Sequence, residues 1–155
     1  YGLDRLSSSG FRCGEQNIAL PGRKLHMNDV TATIGLSNLH HVAGLIEKHR
    51  ANARFYDESI QHANITKPSF SPTCTYWLYT LQTTERDRLK MYLTDHGIES
   101  SLVHARNDTH AIFAYASSTL PGVDIFNATQ LSIPVGWWIT EQERSFIVNT
   151  LHAWV

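Results

Sequence analysis

One long amphipathic helix dominates the sequence of this 155-residue chain. Asn28 or Asp29 is a suitable N-cap. Apolar residues then recur in steps of three and four, which is the helical period. The pattern predicts a helix that ends near His62, with Gly35 and the Ser37-Asn38 pair expected to bend or interrupt it. Its predicted buried face carries Val42, Ile46, His49, Ala53, Tyr56 and Ile60.

Length and composition indicate one globular domain. The chain is 42% hydrophobic and 17% charged, and its 13 basic and 14 acidic residues give a formal net charge of −1. This balance provides no electrostatic attraction for duplex nucleic acid or an anionic membrane. No apolar run approaches the roughly 20 residues of a spanning helix, so we expect neither partner. The two cysteines, Cys13 and Cys74, are interpreted as free thiols in a reducing compartment.

Shorter patterns after the long helix predict an α+β domain with a short, mostly antiparallel sheet covered by helices. Strands are expected over 74–83, where both faces look buried, over 98–103 and over 131–135. Helical segments are expected after Thr84, near 112–115 and over 124–131, with a turn at 120–122. The helix after Thr84 has a predicted inner stripe of Leu89, Leu93 and His96, followed by Gly97 at its C-terminus.

The last helix has the clearest start signal. Thr140 at the N-cap and Glu143 three residues later form the pattern of a capping box. Its predicted inner face consists of Ile147, Leu151 and Trp154. Among the other aromatic residues, Tyr76, Trp77 and Tyr79 are expected in the core. The Trp137-Trp138 pair is expected on the surface, where it could contact another subunit or domain.

Two polar clusters are candidates for ligand binding, and each has a simpler interpretation. Residues 22–28 place Lys24 and His26 directly before a helix start, which suits a phosphate, although a solvated basic loop is the alternative. Residues 104–110 follow a strand and suit a polar ligand such as a sugar or a diphosphate; there Arg106 could instead pair with Asp108. The histidine spacings match no standard zinc site, and neither cysteine shows a sign of activation. The sequence supplies no complete catalytic centre of its own.

The segment GRKLHMNDVTATIGLSNL, residues 22–39, resembles the DegT/StrS-type sugar aminotransferases. Arg50 or Arg54 with Tyr56, the aromatic strand around Trp77, and the segment that ends in His96-Gly97-Ile98 match that family in the same order. The closing Leu131-Ser132-Ile133-Pro134 and Thr140-Glu141 do so as well. The resemblance therefore covers nearly the whole chain.

The resemblance implies the C-terminal portion of a type I pyridoxal-phosphate (PLP) enzyme. Residues 1–27 would be an irregular remnant of the large domain, and residues 28–155 the small domain with its long linking helix. The family's Schiff-base lysine lies upstream of the matched region, so this chain alone is expected to hold no cofactor, to contain no catalytic residue and to be inactive. The parent enzyme would be a cytoplasmic homodimer that transfers an amino group from an amino-acid donor to a nucleotide-linked keto-sugar, for polysaccharide or related biosynthesis.

The resemblance also implies roles for the two clusters. Lys24 occupies the position of an asparagine that binds the PLP phosphate of the partner subunit, and His26 replaces an arginine. The residues His104, Arg106, Asn107 and His110 fall in a loop near the sugar-nucleotide entrance. Two alternatives remain: a non-catalytic module that binds a phosphorylated sugar, and a structural dimerisation domain.

Overall fold

The computed structural model describes Leu20 and residues 27–116 and 119–155. Within these ranges the element order is α1 (Asp29–Ser59), β1 (Tyr79–Gln82), α2 (Arg86–Asp95), a 3-10 helix (Ala111–Ala116), α3 (Pro121–Thr129), β2 (Gln130–Ile133) and α4 (Glu141–Ala153). The α+β class and the antiparallel sheet predicted from the sequence are confirmed. In the described part of the chain, no helix combines the length and the apolar character that crossing a membrane requires.

Helix α1 is one continuous helix of 31 residues. Asn28 is its N-cap, and the Asn28 Oδ1 atom accepts a hydrogen bond from Thr31 N at 2.9 Å. The expected interruption at Gly35 or Ser37-Asn38 is wrong, since the helix passes through both positions. Only the second half of α1 is buried, around Asn52, Ala53 and Tyr56. From Asp29 to Gly44, every residue except Ala32 is exposed, so the buried face begins later than the sequence pattern predicts.

The sheet consists of β1 and β2, paired antiparallel with Tyr79 opposite Ile133 and Gln82 opposite Gln130. A single bridge extends each edge: Thr66 pairs with Gln82, and Ser101 pairs with Ser132. The strand expected over 98–103 is therefore wrong in extent, because its backbone reaches β2 only at Ser101.

The strand expected over 74–83 is also shorter than predicted. Arg50 Nε donates to the Cys74 carbonyl oxygen at 2.9 Å, and Tyr76 has a φ of 50°, so the chain turns before β1 begins. Alternate residues of β1 are buried and the others are half-buried. The expectation of two fully buried faces is therefore wrong.

The helices after β1 differ from the prediction mainly at their starts. The N-cap of α2 is Glu85, not Thr84. Gly97 follows the helix with a φ of 73°, as predicted for a glycine at that place. His96 is exposed, so its place on the inner stripe is wrong. Helix α3 begins at Pro121, where a turn was expected, because the fixed φ of proline suits the first turn of a helix.

The hydrophobic core lies between α1, the sheet, α2 and α4. Its fully buried side chains are Tyr56, Ile60, Tyr79, Leu81, Leu89, Leu93, Leu131 and Leu151. Ile147 and Trp154 of the predicted α4 face are also buried, and the capping box of Thr140 and Glu143 is present. Both predictions for α4 are confirmed.

The capping box makes stability depend on pH. The Glu143 carboxylate accepts hydrogen bonds from Thr140 N and Thr140 Oγ1, both at 2.8 Å, and these bonds lower the pKa of Glu143 below its ordinary value. The stabilisation is therefore complete above the unfolded-state pKa of about 4.3, and it is lost as the pH falls through the lower folded-state pKa.

We expect Glu143→Gln to lower the free energy of unfolding at pH 7 and to flatten its decline between about pH 5 and pH 3. Glu141→Gln, in the same helical turn but outside the capping box, is the matched control. Urea unfolding at a series of pH values measures both effects. Parallel pH curves for Glu143→Gln and the unsubstituted chain would contradict this account.

Candidate functional site

A groove of about 620 Å³ opens beside the sheet. Three segments form its walls: the chain after α2, the chain between β2 and α4, and the first turns of α4. Trp77 and Leu78 close it on the side of β1. The remaining lining residues are 97–101, 132–136, Trp138, Ile139, Glu143, Phe146 and Ile147.

Side chains of α1 hold the groove wall formed by residues 134–136. Tyr56 Oη donates to the Pro134 carbonyl oxygen at 2.8 Å. Asn52, which is buried, donates from Nδ2 to the Gly136 carbonyl oxygen at 3.0 Å and to the Val135 carbonyl oxygen at 3.4 Å. Three consecutive carbonyl groups are thereby fixed from one helix. Burial raises the pKa of Tyr56 above its ordinary value, so its hydroxyl stays protonated and can donate.

Arg144 connects α4 to the same contact. Its Nη1 atom donates to Asn52 Oδ1 at 3.3 Å, and its guanidinium lies 4.6 Å from the centroid of the Phe55 ring. Because Asn52 bonds to Arg144 through its oxygen and to the groove wall through its nitrogen, the amide orientation is defined. Helices α1 and α4 and the segment after β2 are therefore joined at one buried point.

The two tryptophans after β2 are exposed, as the sequence predicts. Trp137 is 48% exposed and Trp138 is 63% exposed. The six-membered ring of Trp138 lies directly over Gly136, so that a side chain at position 136 would collide with it. A glycine is therefore required at position 136 for this placement of Trp138.

Trp77 is 65% exposed, so its predicted place in the core is wrong. The positive φ of Tyr76 turns the chain at that position. Tyr76 is buried, and its hydroxyl oxygen accepts a hydrogen bond from Ser71 N at 2.5 Å. Trp77 then lies on the groove, with its ring centroid 5.6 Å from that of His104. Trp77 therefore borders both the groove and the 104–110 loop.

The 104–110 loop is held from two sides. The His104 carbonyl oxygen accepts a hydrogen bond from Gln130 Nε2 at 3.1 Å. Arg106 Nε donates to Asp108 Oδ1 at 2.8 Å and Arg106 Nη2 donates to Asp108 Oδ2 at 2.5 Å, while Nη1 bonds to Asp124 of α3. The pairing of Arg106 with Asp108 that the sequence left open is present, and it lowers the pKa of Asp108 below its ordinary value. Arg106 thus fastens the loop to α3.

The predicted binding residues occupy different places. The loop residues His104, Arg106, Asn107 and His110 do not line the groove, and the His104 ring contacts Trp77 at its edge. The Asn107 carbonyl oxygen accepts a hydrogen bond from His110 N at 3.1 Å. Lys24 and His26, the predicted phosphate contacts, lie outside the described residues, as does Cys13. Cys74 is a free, exposed cysteine.

Sequence reasoning missed Ser100 as a site residue. The residue lines the groove, and its Oγ atom is buried without a hydrogen-bond partner in the described part of the chain. A serine in a short irregular segment carries no sequence signal of this kind.

The described residues do not form a PLP site. Covalent attachment of that cofactor requires a lysine amine, and the lysines in the described ranges are Lys48, Lys67 and Lys90. Lys48 is exposed on α1, Lys67 Nζ bonds to the Asp57 carbonyl oxygen, and none of the three lines the groove. We therefore derive no chemical step through the cofactor. The described residues also contain no group of three or more metal-ligating side chains.

Known proteins match the chain over most of its length. The sequence matches the DegT/DnrJ/EryC1/StrS aminotransferase family over residues 3–152. The solved structure of the sugar aminotransferase CalS13 from Micromonospora echinospora is 35% identical, with a TM-score of 0.78, and the match covers 99% of this chain and 42% of that one. AtS13 from Actinomadura melliaura is 33% identical, with a TM-score of 0.75, over 100% of this chain and 42% of that one.

A curated protein gives a weaker match of similar extent. The erythromycin biosynthesis sensory transduction protein EryC1 of Saccharopolyspora erythraea is 24% identical over 140 residues, which are 85% of this chain and 38% of that protein. The chain thus spans about two fifths of the length of the relatives that it matches.

The ion pairs of Arg106 predict how the loop responds to substitution. We expect Asp124→Asn to weaken the attachment of Arg106 to α3 and to raise the rate of tryptic cleavage after Arg106 several-fold at neutral pH, since local opening controls cleavage. Asp95→Asn, on exposed α2 surface, is the matched control. Mass spectrometry of timed digests measures the rates. Equal cleavage rates in the two variants would show that the ion pair does not hold the loop.

Proposed function

The chain belongs to the DegT/DnrJ/EryC1/StrS aminotransferase family, and we propose that it supplies the small domain of a PLP-dependent aminotransferase that acts on a nucleotide-linked keto-sugar. The match of nearly the whole chain to a sugar aminotransferase structure carries this proposal. The enzyme exchanges the ketone oxygen of the sugar for an amino group from glutamate or glutamine. When bound, the cofactor supplies the electron sink for that exchange.

The groove and the 104–110 loop form the substrate side of this domain. The loop carries His104, Asn107 and His110, and its His104 ring contacts Trp77 at the edge of the groove. Imidazole and amide groups of this kind can bond to a sugar or a diphosphate. Arg106 also holds the loop in place, because its guanidinium bonds to Asp108 within the loop and to Asp124 on α3. We assign His104, Arg106, Asn107 and His110 together as the substrate-binding residues of this loop.

Lys24 and His26 are assigned to the phosphate of a cofactor bound by the partner subunit. The support is the resemblance of residues 22–39 to the family segment whose asparagine makes this contact. An ammonium group forms a charge-assisted hydrogen bond with phosphate, so lysine is a suitable replacement for the amide. The small domain begins at residue 28 in this assignment, and residues 1–27 belong with the large domain.

The first half of α1 supports a homodimer. Its apolar side chains Val30, Ile34, Leu36 and Leu39 are 57–70% exposed. Since helical residues turn by about 100° per position, Val30 and Leu39 lie on opposite sides of the helix. A helix that is apolar all round requires cover on more than one side. We assign one side to a second copy of the chain and the other to the large domain.

The enzyme is assigned to the cytoplasm, where the exposed thiol of Cys74 stays reduced. The amino-sugar product would serve polysaccharide or related biosynthesis.

Calorimetry and an activity assay test the proposed function. A uridine- or thymidine-diphosphate-linked 4-keto-hexose should bind to this chain, and binding should weaken when His104→Ala and His110→Ala are combined. The chain with added PLP should give no protein-bound absorbance band at about 410–430 nm, the region of a lysine-linked cofactor. Lys90→Ala, on the distant helix α2, is the control for the two histidine substitutions in the binding measurement.

Two results would contradict these assignments. Failure of the nucleotide-linked sugar to bind would exclude the assigned substrate contacts of the loop and a non-catalytic sugar-binding module, and would leave a role in dimerisation. Amino transfer by this chain alone, abolished by Lys24→Ala, would show that Lys24 holds the cofactor itself.

The exposed half of α1 gives a separate prediction. We expect Ile34→Glu to shift self-association towards the monomer by at least tenfold in dissociation constant, because it places a charge on an apolar contact surface. Thr33→Glu, at the neighbouring position, is the control. Sedimentation velocity at several concentrations measures the shift. A chain that stays monomeric at high concentration without substitution would refute the assigned dimer surface.

A further inference from the structure

We propose that the groove beside Trp77 and Trp138 binds a flat, uncharged heteroaromatic ring, the base of the nucleotide that carries the sugar. The inference rests on the proposed function, since it names the part of that substrate which this site recognises.

The charge of the groove excludes the phosphate groups as its occupant. None of the described residues that line it is cationic, and the ionisable ones are Glu99 and Glu143. The Glu143 carboxylate is bonded to Thr140 in the capping box. A diphosphate in this groove would face carboxylates and apolar side chains, which is unfavourable. An uncharged ring meets no such penalty.

The aromatic lining favours a flat ring. Trp77 and Trp138 both line the groove, and both are more than half exposed. Stacking of one base on an aromatic side chain contributes on the order of 1–3 kcal/mol. Edge contacts orient the Trp138 ring: its centroid lies 5.9 Å from that of Trp137 at 84° and 6.3 Å from that of His49 at 90°. An oriented, solvent-exposed indole is suited to stacking.

The groove is large enough for a small ligand, and its position next to the 104–110 loop indicates how a bound nucleotide is oriented. A volume of about 620 Å³ lies within the range of roughly 300–1,000 Å³ that small-molecule sites occupy. Trp77 lies next to His104, so a base stacked at Trp77 directs the rest of the nucleotide towards the 104–110 loop. The polar groups of that loop are suited to the diphosphate and the sugar.

Binding of uridine diphosphate, measured by calorimetry and tryptophan fluorescence, tests this inference, with inorganic pyrophosphate as the ligand without a base. Trp138→Ala should weaken uridine diphosphate binding about tenfold or more and leave pyrophosphate binding unchanged. Trp138→Phe should restore part of the affinity. Met91→Ala is the control, since Met91 is a large exposed side chain on α2 that does not line the groove. Trp77→Ala provides a second variant if circular dichroism shows that Trp138→Ala does not fold.

The outcomes separate this inference from the proposed function. Binding of the nucleotide-linked sugar without dependence on Trp77 or Trp138 would overturn the assignment of the groove and leave the proposed function standing. The same holds if uridine diphosphate binds no more tightly than pyrophosphate. Failure of every sugar and nucleotide ligand to bind would overturn both.

Discussion

The hydrogen bonds from α1 to the backbone of residues 134–136 determine where the groove lies. Asn52 and Tyr56 bond to three successive carbonyl oxygens, in a segment that regular secondary structure does not hold. Each buried bond contributes about 1 kcal/mol net, but removing a donor leaves a buried carbonyl without a partner, which costs more. The positions of Gly136 and Trp138 follow from these bonds, since the indole ring rests on the glycine.

Short sequence motifs predicted several helix ends correctly, because neighbouring residues alone determine these features. Asn28 and Thr140 cap their helices, and Gly97 has the left-handed conformation expected after α2. The strand pattern around Trp77 failed for a physical reason. Alternating aromatic residues indicate a strand wherever they occur. Here, however, Arg50 on α1 bonds to the Cys74 carbonyl oxygen and holds the chain before β1 away from the sheet. A contact between residues 24 positions apart has no periodic signature.

The polar loop shows the same limit for the site. A dense run of hydrogen-bond donors after a strand predicts ligand binding. The composition of the run does not show which of these donors bond to other groups of the protein. In the structure Arg106 bonds to Asp108, two residues away, and to Asp124, which is 18 residues away on α3. The local pairing was one of two alternatives in the sequence, whereas the contact with α3 requires the fold. Ser100 and Trp77 became site candidates only through tertiary packing.

Helix α1 connects the exposed apolar surface with the wall of the groove. Its first half carries apolar side chains on opposite sides, and its second half fixes the groove wall. A continuous helix of 31 residues is about 46 Å long, and the structure shows no break in it. Any body that packs against the first half therefore sets the direction of the helix that carries Asn52 and Tyr56. Assembly and groove geometry therefore depend on the same rigid element, because the helix that carries the exposed apolar side chains also carries the donors that hold residues 134–136.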